Sequence, residues 1–138
     1  MYKFAGFVLL LILVLAGCSE STSLMKEVDR PNKDVKSFVD RNGSKNGIYL
    51  YTAPGKGEYV IVNDSTVQQG EPAKLVTDAL AELQDGVLTI HFDVTETSDL
   101  QDERIKPVSV YKLNNNMKAD TIKVVVNGEE TSFETSGN

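Results

Sequence analysis

The sequence predicts a mainly β fold, a small antiparallel sandwich or barrel-like domain, with one short helix at about 73–84 as an option. Three observations predict it. From Ile48 onward, short apolar runs rich in β-branched and aromatic residues are separated by turn residues, which is the texture of strands. Val87 to Val94 alternates strictly, with Leu88, Ile90, Phe92 and Val94 on one face and Thr89, His91, Asp93 and Thr95 on the other. Such alternation gives one buried and one wet face. Asn127-Gly128 interrupts a third apolar run, and this pair readily takes the φ > 0 angles of a type I′ hairpin turn.

Taken from the N-terminus, Met1-Tyr2-Lys3 carries one positive charge and Phe4 to Ala16 is an apolar run that closes on Ala16-Gly17 before Cys18. This is the layout of a secretory signal peptide over 1–17. A helix needs about 20 apolar residues to span a bilayer core, so a permanent span is not expected from this shorter run. Leu15-Ala16-Gly17-Cys18 resembles the lipobox of bacterial lipoproteins, and Cys18 is the sole cysteine. The resemblance, shared in layout with small uncharacterised lipoproteins of Gram-positive bacteria, implies cleavage before Cys18 and a diacylglycerol on its sulfur. It also implies acylation, for instance by palmitate, and a protein lipid-anchored to the cell membrane on its extracytoplasmic side. Two acyl chains hold a protein to a membrane stably where one does not.

Loss of Lys3 with the leader takes Lys+Arg from 14 to 13 against 20 Asp+Glu, a net charge of −7 for the mature chain. An acidic body of this kind has no general field for phosphates, so nucleic acid is not expected as a partner. With Cys18 acylated no intramolecular disulfide is available, and the fold must rest on its core.

Residues 18–47 read as the lipidated N-terminus and a flexible tether, poor in apolar residues and rich in Ser, Asn, Asp and Lys. A flexible chain of that length has an end-to-end distance of roughly 30 Å. Val35, Phe38 and Val39 interrupt it at helical spacing, which allows a short helix that docks on the domain. The domain itself is expected over 48–138. Ile48 to Thr52 and Tyr59 to Val62 read as strands joined by a turn at Pro54-Gly55, and both are apolar on both faces, as a strand covered on two sides is. Val108 to Leu113 is a further strand after Pro107. In the last hairpin a two-residue loop places Val126 opposite Glu129, Val124 opposite Thr131 and Ile122 opposite Phe133.

The segment 73–84 supports two readings. Leu75, Val76, Ala79, Leu80 and Leu83 match helical spacing after Pro72, whereas Asp85-Gly86 is a strong hairpin signal and the neighbouring segments are strands.

Residues able to carry chemistry are few. His91 is the only histidine and lies on the wet face of its strand, the place of a solvated side chain. Asp93, Glu96, Asp99, Asp102 and Glu103 crowd one region, and carboxylates suit Ca²⁺, but no glycine supplies the EF-hand turn. The region reads as a solvated acidic loop, and neither a metal nor another cofactor is expected. Gly55-Lys56-Gly57 lacks the phosphate-loop pattern and reads as a turn. Asn42-Gly43-Ser44 and Asn63-Asp64-Ser65 match the N-glycosylation pattern, which a bacterial-type leader makes irrelevant. Tyr49, Tyr51, Tyr59 and Tyr111 are the candidate binding surface, an aromatic strip for a sugar or a peptide, against the alternative of packing within the sheet.

The function expected from these residues is that of a non-catalytic binding or accessory module in the cell envelope, engaging an envelope protein or a wall polymer. The alternative is a small hydrolase of wall glycan working through carboxylates such as Asp93 and Glu96. A two-domain solute receptor does not fit a chain with room for one domain.

Overall fold

The computed structural model describes residues 23–135, so the leader expected over 1–17 and the acylation expected at Cys18 lie outside the described residues. Eight strands and one helix follow in the order β1 (Met25–Glu27), α1 (Lys33–Asn42), β2 (Gly47–Ala53), β3 (Gly57–Asn63), β4 (Ala73–Gln84), β5 (Val87–Thr97), β6 (Val108–Leu113), β7 (Thr121–Val126) and β8 (Glu129–Thr131). They make two four-stranded sheets, β1-β6-β3-β2 and β4-β5-β7-β8, neither closed into a barrel. The sheets pack face to face as a sandwich. Val60, Val62, Tyr111 and Leu113 from the first meet Leu88, Ile90, Phe92 and Val124 from the second.

A second core lies on the outer face of the first sheet, where α1 covers Tyr49, Ala53, Tyr59, Ile61 and Val110 with Val35 and Phe38. The helix forms here because Val35, Phe38, Val39 and Asn42 recur at i, i+3, i+4 and i+7, and three of the four are buried. Asn32 caps it by accepting from the Asp34 and Val35 amides at 3.0 and 3.1 Å. Central β3 is therefore buried on both faces, as its sequence requires.

Part of the segment read as a tether is thus packed. β1 pairs with β6, Met25 opposite Leu113, and α1 buries its apolar face, so the folded body begins near Leu24 rather than at Ile48. The composition there is polar because a short edge strand and an amphipathic helix each need only a few apolar residues.

The segment 73–84 is strand, not helix: β4 pairs antiparallel with β5 along its whole length. A β-bulge between Val76 and Asp78 explains the helical spacing. Val76 lies opposite Val94, and beyond the bulge Ala79, Ala81 and Leu83 lie opposite Phe92, Ile90 and Leu88. The extra residue turns one interval of two into three, which imitates a helix turn. Asp85 and Gly86 both take positive φ, 51° and 78°, and close this hairpin.

The sandwich is also not wholly antiparallel, because β5 and β7 run parallel, Leu88 beside Ile122 and Ile90 beside Val124. Between them the chain crosses to the other sheet to lay down β6. In the last hairpin Val126 does face Glu129 and Val124 does face Thr131, but β8 ends there and Phe133 is not paired with Ile122. Both side chains still pack on the sandwich core. The chain has instead turned toward β2, where the Glu134 amide donates to the Ile48 carbonyl at 2.7 Å.

Candidate functional site

The two sheets part at one end of the sandwich, and the gap is a cleft of about 690 Å³. Its walls are built by turn residues with fixed partners. On the first sheet, buried Asn63 ends β3 and donates to the carbonyls of Asn42, Gly43 and Lys45 at 3.3, 3.3 and 2.9 Å, while its carbonyl accepts from the Ser65 amide and hydroxyl. One side chain thereby ties the end of α1 to the end of β3. Asn46 does the same for the next turn, bonding Thr66 through both amide atoms. Asp64, held by its amide on the Pro107 carbonyl at 2.8 Å, follows Asn63 and lines the cleft.

On the second sheet, Asn127 and Gly128 form the predicted turn with φ of 51° and 83°. The Asn127 side chain accepts from the Val94 amide at 2.8 Å and donates to the Val94 carbonyl at 3.0 Å, so the turn is sewn to β5. Lys74 and Glu96, opposite each other in the β4–β5 ladder, complete that wall.

The cleft has an apolar floor, including Val62 and Phe92, and an acidic rim. Glu134 is paired with Lys45, and Glu130 lies 3.8 Å from Lys123, which among the described residues leaves Asp64, Glu96 and Glu129 with one cleft lysine, Lys74. Burial raises the Asp64 carboxyl above the usual carboxylate range, and the Lys74 ammonium offsets part of that rise. The arrangement suits a ligand that is cationic at one point and apolar at another.

The four tyrosines do not form an exposed strip. Tyr49 and Tyr59 are buried under α1, their hydroxyls bonded to the Lys45 carbonyl and the Asn32 side chain. Tyr51, half-buried, stacks on Phe38 with centroids 4.4 Å apart. Tyr111 points to the opposite face, into the sandwich core against Phe92 at 5.3 Å. An aromatic run on one face signals a partner layer, and here that layer is a helix of the same chain.

His91 is partly exposed on the outer face of the second sheet, its Nε2 3.4 Å from the Glu82 carboxylate. Asp93 and Glu96 are not brought together, since Asp93 shares the outward face with Thr95 while Glu96 lines the cleft. Farther along, Asp99 and Asp102 are occupied locally. Asp99 accepts from the Gln101 amide, and Asp102 takes the Arg104 amide and both ends of its guanidinium at 2.7–3.0 Å. Arg104 holds the Asp102 carboxyl down to about 2. Among the described residues no cluster of His, Cys, Asp or Glu is disposed to hold a metal ion.

Sequence reasoning missed Asp64, Lys74, Glu129 and Glu134, which four separate segments contribute. One local signal existed: Asn63-Asp64-Ser65 directly after an apolar strand is an Asx-turn pattern as well as a glycosylation pattern. Comparison with known protein families, with curated proteins and with solved structures returns no match for the chain.

Proposed function

We propose that the chain is a lipid-anchored extracytoplasmic lipoprotein whose sandwich is a non-catalytic binding or accessory module of the cell envelope, and that the acidic cleft is its binding surface. The observation that carries this reading is the cleft's construction: an apolar floor under a rim of carboxylates, on turns held by Asn63, Asn46 and Asn127. A prebuilt surface of this kind loses little entropy on binding. The partner of matching chemistry is a basic, partly apolar segment of an envelope protein or an amine-bearing stretch of wall polymer.

A second reading has one observation in its favour. Asp64, with its carboxyl raised by burial, shares the cleft with Glu96, and two carboxyl groups flanking one site are what glycoside hydrolysis uses. Chemical cross-linking on intact cells compares the native protein with a Glu96→Lys, Glu129→Lys variant and with Asp64→Asn. The binding module is expected to capture one dominant envelope partner that the double-lysine variant loses and Asp64→Asn largely retains. Capture that ignores the lysines overturns the cleft as the binding surface, and wall-fragment release abolished by Asp64→Asn establishes the hydrolase instead.

A further inference from the structure

The fold has two chemically different ends. β3 runs from Gly57 to Asn63, β5 from Val87 to Thr97, and β6 in the opposite sense from Val108 to Leu113. The cleft lies where β3 ends and β6 begins. The chain enters at the other end, where the Asn114 amide donates to the Leu24 carbonyl at 2.9 Å. The same end carries the β2–β3 turn, with Gly57 against the Asn115 side chain, and the β4–β5 turn, with the Asp120 amide on the Gly86 carbonyl at 2.7 Å. Six strand intervals separate Gly57 from Asn63, so the two ends stand about 20 Å apart along β3.

Leu24 follows Cys18 by six residues. Six residues, fully extended, reach at most about 20 Å. An anchor on Cys18 therefore keeps the entry end within about 20 Å of the lipid whatever path the linking residues take. The charges agree with that orientation. The cleft is lined by Asp64, Glu96, Glu129, Glu130 and Glu134 with one lysine, Lys74, whereas in the grooves of the entry end Lys26, Lys112 and Lys118 balance Glu27, Asp29 and Glu58. Two of those lysines are directly opposite each other in the β1–β6 ladder, Lys26 beside Lys112. Like charges so placed repel, and among the described residues neither ammonium has an ion-pair partner. They line a groove with Asn114, Asn115 and Asn116; of its carboxylates, Glu27 is engaged by Lys106 and Asp29 is exposed.

We infer that the entry end, comprising Leu24, the β2–β3 turn and the loop 114–120, is a membrane-facing surface that rests on anionic phospholipid headgroups, with Lys26 and Lys112 taking a headgroup phosphate between them. The acidic cleft then opens away from the bilayer. This rests on the lipid-anchor reading of Cys18. Repulsion between the cleft rim and an anionic surface acts within a Debye length of about 8–10 Å and keeps the domain from lying over on its cleft.

The test couples the chain from Cys18 onward, through its sole thiol, to a maleimide phospholipid in nanodiscs of phosphatidylcholine with phosphatidylglycerol. A fraction of the lipid carries a headgroup spin label that broadens nearby amide resonances. Broadening is expected at Gly57, Asn115 and Lys118 and not at Asp64 or Asn127. Equal or greater broadening at Asp64 and Asn127 overturns the orientation. The Lys26→Glu, Lys112→Glu variant, its folding checked by its unchanged spectrum elsewhere, is expected to lose at least half of the broadening; full retention overturns the phosphate contact. Because the coupling is chemical, these outcomes stand apart from whether cells acylate Cys18, which the mass of the N-terminal peptide from native membranes decides.

Discussion

At the scale of single residues, two side chains show how burial sets chemistry. Tyr111 packs on Phe92 inside the sandwich, and burial pushes its hydroxyl up to about 12, with the Glu27 charge adding to the shift and a hydrogen bond with Ser109 opposing it. A phenol that titrates near 10 when unfolded and near 12 when folded stabilises the fold fully below pH 10. That contribution is lost as pH rises from 10 to 12, because the unfolded chain releases its proton first. Tyr111→Phe should therefore flatten the decline in unfolding free energy over this window, as urea titrations at successive pH values would record; parallel curves for the two proteins would refute it. Asn63 is the other case. It is buried without a charge, and its amide is satisfied by backbone partners and the Ser65 hydroxyl, so a polar residue there fixes geometry.

At the scale of elements, the turn at Asn127-Gly128 makes a sharp test. Gly128 has a φ of 83°, and a Cβ added there meets nothing within 4 Å, so any penalty for a larger residue is purely conformational. Gly128→Val should lower stability by about 1–2 kcal/mol, read as a drop in melting temperature, and should loosen the Asn127 contacts with Val94 that wall the cleft. The strands that were legible in the sequence owe it to local causes: β5 alternates, β2 and β3 are joined by Pro-Gly, and β7 and β8 by Asn-Gly. β4 was ambiguous because a single bulge residue changed the phase of its alternation, and no periodicity argument on one strand reveals its partner. α1 showed its three apolar positions but not its destination. The tyrosine face of β2 and β3 told only that something covers it, and a helix upstream in the chain does so. The cleft was illegible for the same reason at larger range, since Asp64, Glu96 and Glu129 meet only when both sheets are in place.

At the scale of the whole molecule, α1 makes the fold a three-layer body, and the outer layer is not an accessory. Val35 and Phe38 are buried against β2, β3 and β6, and without them Tyr49, Tyr59 and Ile61 would face water. A chain begun at residue 44 should fail to give a cooperative thermal transition, whereas one begun at Ser23 should melt within a few degrees of the longer protein. Cooperative melting of the shorter chain at the same temperature would show that the helix contributes little.

The parallel pair of β5 and β7 has a consequence in time. Hairpins such as β2–β3 and β4–β5 close over a few residues and can form as soon as those residues exist. Between β5 and β7 the chain travels to the other sheet, where β6 pairs with β3, and returns. The β5–β7 pairing is a long loop closure, slow to be rewarded, and until it happens one edge of β5 stays open with Leu88, Ile90 and Phe92 beside it. The molecule is thus most vulnerable to pairing with a neighbour late in its folding, on the very strand whose far end later walls the cleft.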